Sequence, residues 1–452
     1  MALRGYAREV AAVAVGVAVV AAAFVLPRIH IGVTPLHGVG PERFATHAGA
    51  APIFGAWEIH AGWGSGLAIL LAVAAVVWGN AVAQRLSWRI LTLCTWATAC
   101  AWALALALID GWQRGFAGRL TTRDEYLYEV PGITDIPAAV RAFAGRILDG
   151  QPNSWTTHVS GHPPGALLTF VWMDRIGLHG GVWAGLLCLL AGSSAAAAVV
   201  VAVRALAGEP AARLVAPFVA VAPTAIWVAV SADGYFAGVA AWGIALLAVA
   251  VHRTVRFPPL AAAGAGLLLG WGVFLSYGLI LMGLPALAVL VSARSRPAAL
   301  RALGAAAAAA LTVAVAFAVA GFSWFDGYTL VQQRYWQGIA KNRPFAHWWW
   351  ANLACVVCAI GLGSVAGLPR VFDVAAIRRR CGLHLVLLGV LTAILSADLS
   401  ELSKAEVERI WLPFTVWLTA APALLPVRSH RVWLAVNAAG ALLVNSVIVT
   451  HW

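Results

Sequence analysis

The chain has 452 residues, 62% of them hydrophobic and only 11% charged. A water-soluble domain cannot hide so large an apolar share, because its outer surface must face water. The net charge of +12 would point to nucleic acid in a soluble protein. Here many arginines sit in short gaps between apolar runs, where they set orientation across a bilayer, so a nucleic-acid partner is not expected.

Apolar runs such as 11–25 and 305–320 lack the alternation of barrel strands, which leaves helices to satisfy the backbone in lipid. The pattern predicts an all-α, polytopic transmembrane bundle of about thirteen spans. The 22 tryptophans fit membrane interfaces. The six cysteines suggest no disulfide framework, and the Cys355/Cys358 pair, inside an apolar helix, reads as packing. The first apolar run reads as a retained helix.

In chain order, Arg4 and Arg8 precede a span at 9–26, which places the N-terminus in the cytoplasm. Spans at 63–83 and 90–110 follow, with Arg85 and Arg89 between them. The segment 163–178 is short for a span and reads as a juxtamembrane helix in the interface. Later spans are expected at 182–203, 213–230, 236–252, 259–275, 278–293, 302–321, 348–366, 383–396, 410–426 and 432–449. The positive-inside rule then puts the long loops 27–62, 111–181 and 322–347 outside, with a tight turn at 231–235 and the loop 397–409. Any chemistry is therefore expected on the extracytoplasmic face of a multi-pass plasma-membrane protein.

Several constellations in those loops can carry chemistry. In the stretch 123–129, Asp124 and Glu125 can act as a base on an acceptor hydroxyl or hold a divalent cation; a solvated loop is as good a reading. In 158–165, His158 and His162 flank a rigid His-Pro-Pro-Gly turn, able to offer an imidazole to phosphate or simply to start a helix. Asp233 lies in the 231–235 turn, as a costly carboxylate near bilayer depth or as the cap of the next helix. In 403–411, Lys404 and Glu408 are spaced as helical neighbours, as are Ala405 and Arg409, and the cations could clamp an anionic headgroup or anchor the interface. The loop 324–350 mixes aromatics with Arg334, Lys341 and Arg343, suited to sugar stacking and phosphate contact or to an interfacial belt. His30, His37, His47 and His60 match no metal spacing.

The order of these features resembles the GT-C superfamily of membrane glycosyltransferases, nearest the branch of protein O-mannosyltransferases and lipid A aminoarabinose transferases. The Ala-rich composition resembles actinobacterial members. The resemblance rests on Asp124-Glu125, the His162–Gly165 turn, Asp233 and the Lys404-x-Glu406-x-Glu408-Arg409 stretch. It covers roughly 90–452, with 1–89 as an additional N-terminal pair of spans. It implies transfer of a sugar from a polyprenyl-phosphate carrier to a glycan, lipid or protein acceptor of the cell envelope, with inversion. It further implies Asp124 as base and Glu125 supporting acceptor or ion. His158, His162, Asp233, Glu406 and Arg409 would contact substrate, with Lys404 and Arg343 helping hold the carrier phosphate. A divalent cation is open. The chain departs from the family pattern at Gly165, where leucine is usual, and has no WWDxG-like motif.

Two other classes remain in view. A transporter or flippase of a lipid-linked or small anionic substrate would show internal repeats or midplane charges. A non-catalytic scaffold would tolerate loss of Asp124 and Glu125.

Overall fold

The computed structural model describes residues 7–451; Arg4 lies outside the described residues. Among the described residues, eight helices are long and apolar enough to cross a membrane. A ninth crossing is counted if the bent pair Phe345–Ile360 and Leu362–Val371, which meet at 109°, is one span. The difference from the predicted count has local causes. The segments Tyr277–Val291 and Leu412–Leu424 are shorter apolar helices, below the roughly 20 residues that a straight crossing needs. The helix Glu209–Ala220 stops at a break held by the Trp102 indole, which donates to the Ala222 carbonyl at 3.0 Å. The bend of the pair falls at Gly361, whose φ is +77°, a conformation glycine adopts at little cost. His430–Val447 carries Asn437 and Asn445, which dilute its apolar character.

Two close helix pairs build the centre. Ala232–Val251 is the most enclosed of the candidate spans, 78% buried. It packs on Gly180–Ala207 through Gly238 and, four residues earlier, through the Gly234 backbone, which a Cβ on Gly192 would meet at 2.9 Å. A Cβ on Gly238 would come to 2.1 Å from the Ala191 carbonyl oxygen. Small residues at this spacing let helix backbones touch, which is how apolar helices associate in lipid. Gly266 and Gly270 do the same for Pro258–Leu275 against Ala306 and Ala310 of Arg296–Val319. The first helix, Ala7–Arg28, sits at the edge and is tied down by Glu9, which accepts from Arg370.

The chain is not wholly helical. Gly55–Trp57 (β1) pairs antiparallel with Ile448–Thr450 (β2), with Ala56 opposite Val449. The loop 27–62 is therefore pinned to the end of the chain. It is also pinned to the other loops: Trp348 Nε1 donates to the Pro35 carbonyl at 2.8 Å and His37 N to the Asn342 carbonyl at 2.9 Å. The helix Pro164–Arg175 differs from a helix lying in an interface, since Pro164 to Leu168 are all buried in the bundle. Gly165 has the same explanation: a Cβ there would sit 2.5 Å from the Phe274 carbonyl oxygen.

Candidate active site

The residues singled out in the loops converge, although they come from four separate parts of the chain. Asp233 stands in the first turn of Ala232–Val251. It does not cap that helix. Ser231 does, accepting from the Gly234 amide at 3.0 Å, which leaves the Asp233 carboxylate free. Asp233 Oδ2 accepts from Arg409 at 3.0 Å, with both side chains buried. Arg409 reaches Glu406 at 3.4 Å, and Glu406 accepts from Arg343 at 2.7 Å. Arg343 also donates to the Lys404 carbonyl at 2.8 Å. The result is a chain of alternating charge, buried but for the half-buried Glu406: Asp233, Arg409, Glu406, Arg343.

The backbone at 403–409 explains how one short segment serves so many partners. The spacing predicts helical pairs of Lys404 with Glu408 and Ala405 with Arg409; the structure overturns this. Ala405 and Glu406 have φ of +66° and +60°, so the helix starts only at Val407. Left-handed backbone at non-glycine residues is strained. Asn352 holds it in place, accepting from the Ala405 amide at 3.2 Å and donating to the Ser403 carbonyl at 2.7 Å. The turn sends Lys404 and Glu408 to different places. The buried Lys404 ammonium lies 4.1 Å from the centroid of the Trp336 ring. Glu408 accepts from the Phe54 amide at 2.8 Å.

The acidic pair splits in the same way. Glu125 is buried and meets His158 Nδ1 at 2.8 Å. Asp124 is exposed; its carboxylate accepts from Thr157 Oγ1 at 2.9 Å and its carbonyl from the His158 amide at 3.0 Å. The 123–129 stretch and the His158–His162 turn are thus one unit. Tyr126 seals it, its ring 5.8 Å from His162 and 5.3 Å from Phe170. His162 donates through Nδ1 to the His158 carbonyl, 2.8 Å away, and packs on Phe236. It is a wall of the site rather than an exposed donor.

The electrostatics follow from burial opposed by pairing. Burial pushes the Glu125 carboxyl up, but His158 and Arg409 more than offset it, so it lies below the usual carboxylate range. Burial lowers His158, yet Glu125 raises it further and the imidazole is held above its ordinary value. Burial drives His162 down, so it is neutral. Burial also opposes the charge on Glu406, but Arg343 and Arg409 pull its carboxyl down to about 2. Glu125 thus feels Arg409, which joins the two halves of the site. Two donors in it lack an acceptor: among the described residues, the buried Nε groups of Arg343 and Arg409 have no hydrogen-bond partner. Lys404 makes no ion pair with a carboxylate among the described residues.

Asn352 escaped the sequence reading as a site residue, whereas Tyr335 and Trp336 belong to the aromatic loop 324–350 singled out there. Tyr335 accepts from the Lys404 amide at 3.1 Å. The only local signal for Asn352 was its place just after that loop. Of the remaining histidines, His60 meets Asp110 at 2.7 Å and His37 meets Thr34 at 2.8 Å. Cys355 donates to the Pro52 carbonyl at 2.9 Å, and no disulfide forms among the six cysteines. No three His, Cys, Asp or Glu side chains of the described residues form a group able to hold a metal ion.

No family model and no curated protein sequence matches the chain. Solved structures do. The oligosaccharyltransferase of Archaeoglobus fulgidus in complex with Zn and sulfate superposes with a TM-score of 0.53 at 14% identity, over 79% of this chain and 54% of that one. Its apo form gives 0.50 at 12% identity, over 75% and 50%. ArnT of Cupriavidus metallidurans bound to undecaprenyl phosphate gives 0.47 at 17% identity, over 74% and 59%. What is shared is the fold, a bundle of membrane-type helices. Its particular likeness is to the archaeal oligosaccharyltransferase, of which the chain spans about half the length.

Proposed function

We propose that the chain is a glycosyltransferase that moves a sugar from a polyprenyl-phosphate carrier to an acceptor of the cell envelope, on the outer face of the plasma membrane. The observation that carries this reading is that, among the described residues, the Nε–H groups of Arg343 and Arg409 have no acceptor and the buried Lys404 beside them has no carboxylate partner. Buried donors without acceptors are rare in native proteins and call for an anion. A phosphate is the anion that a lipid-linked sugar would bring.

The residues divide the work as follows. The exposed Asp124 carboxylate takes the proton of an acceptor hydroxyl. The acceptor oxygen attacks the anomeric carbon while the bond from that carbon to the phosphate oxygen breaks. Attack from the face opposite the phosphate inverts the centre. The bonding electrons leave with the polyprenyl phosphate, whose growing charge Lys404, Arg343 and Arg409 stabilise. Asp233 and Glu406 hold the two guanidinium groups in place, and Glu125 with His158 holds the loop that carries Asp124. Trp336 and Tyr335 offer faces to the sugar or the carrier.

The Archaeoglobus enzyme was solved with Zn. The residues here do not fit a divalent cation: Glu125 is matched by His158, and Asp233 and Glu406 by Arg409 and Arg343. No step is routed through a metal. The test is transfer from radiolabelled polyprenyl-phosphate mannose or arabinose in membranes holding wild type or Asp124→Ala. Transfer by wild type that disappears in a normally folded variant supports the reading. Equal transfer by both removes Asp124 as the base.

A further inference from the structure

Glu408 takes no part in the scheme above, yet it is the most enclosed carboxylate of the site, with no exposed surface. One oxygen accepts from the Phe54 amide at 2.8 Å, across 354 positions of sequence. The other is buried without a hydrogen-bond partner among the described residues. The Phe54 ring lies 5.9 Å from the Arg343 guanidinium, so the loop held by Glu408 forms a wall of the charged site. Pro52 is held from below by the Cys355 thiol. We infer that Glu408 is a positioning residue: its carboxyl docks the loop 27–62 onto the segment that bears Glu406 and Arg409, and gaining or losing its proton sets how firmly the loop is docked.

The charged and titratable groups around it are few. Glu406 and Arg409 lie on its own segment, and Cys355 and Cys358 face it from the helix Phe345–Ile360. The loop presents the Phe54 amide. Burial lifts the Glu408 carboxyl to about 7 against the Phe54 amide, which favours the charge. Undocked and wet, the group would return to about 4.3. The docked state therefore binds the proton more tightly. Docking is firmest when the carboxyl is protonated, weakens as pH rises from the ordinary carboxylate range to about 7, and levels off above. A wall that loosens as the proton leaves would open the site at neutral pH, a consequence that rests on the transferase reading; the docking itself does not.

Amide hydrogen exchange of segment 50–57, in the full chain in lipid nanodiscs, tests this without substrate. Dividing the wild-type rate by that of Glu408→Gln removes the intrinsic pH dependence of exchange. The ratio should rise about tenfold or more between about pH 5.5 and about pH 7.5, and Glu408→Ala should exchange fast at both. Exchange in the helix Ala232–Val251 checks that each variant is folded; if Glu408→Ala is not, the wild-type to Glu408→Gln ratio decides alone. A ratio flat with pH, or a folded Glu408→Ala as slow as wild type, overturns the inference and leaves the proposed transferase activity untouched.

Discussion

Arg409 and Asp233 are 176 residues apart in sequence and 3.0 Å apart in the fold, both buried. Removing Arg409 strands the Asp233 charge, at a cost of about 3–5 kcal/mol, whereas removing Asp233 leaves Arg409 its second partner, Glu406. Arg409→Ala should lower the unfolding midpoint sharply in detergent, and Asp233→Ala less. The double variant should lose less than the sum, because Asp233 is then no longer stranded. Thermal unfolding of the four proteins of the cycle measures the coupling.

The Glu125–His158 pair should give stability a pH window. His158 is raised, so its contribution is full below its ordinary value of about 6.5 and lost as pH climbs through the raised one. Glu125 is depressed, so its contribution is present above the ordinary carboxylate range and lost as pH falls through its lowered value. His158→Gln should cost about 1.5–3 kcal/mol near neutral pH and flatten the alkaline side of the stability profile. Unfolding midpoints taken across pH for both proteins read this directly.

Lys404 should matter to the donor more than to the fold. Among the described residues it has no carboxylate partner to strand, and its ammonium lies over Trp336. Lys404→Gln should raise the KM for a polyprenyl-phosphate sugar by about tenfold to a hundredfold, the worth of one charge-assisted hydrogen bond. The unfolding midpoint should move little. Steady-state kinetics in donor concentration, beside a melt, separates the two.

Gly165 leaves no room for a side chain. Leucine at this place should destabilise the protein, because even a Cβ meets the Phe274 carbonyl. Overpacking of this kind costs about 1–3 kcal/mol. Folded yield and midpoint of Gly165→Leu, compared with Gly165→Ala, check the graded penalty.

The charged residues of the candidate site drew notice in the sequence because charge is scarce in an apolar chain. Asp124, Glu125, His158, Asp233, Arg343, Lys404, Glu406 and Arg409 stood out for that reason, and the fold gathers them. What could not be read was the local backbone between them. Positive φ at Ala405 and Glu406 comes from Asn352 on another helix, so helical spacing misled there. The break after Ala220 and the bend at Gly361 divide runs whose composition alone reads as continuous. The pairing of Gly55–Trp57 with Ile448–Thr450 joins three-residue strands from opposite ends of the described chain, too short to leave a periodic signal.

The most direct test of the account is sugar transfer by wild type and Asp124→Asn at matched folded yield, with each radiolabelled polyprenyl-phosphate donor and envelope acceptors. The account expects transfer from at least one donor by wild type and a loss of about a hundredfold or more in the variant, the range of a missing general base. Transfer by Asp124→Asn at the wild-type rate, or none by wild type from any donor, would contradict it.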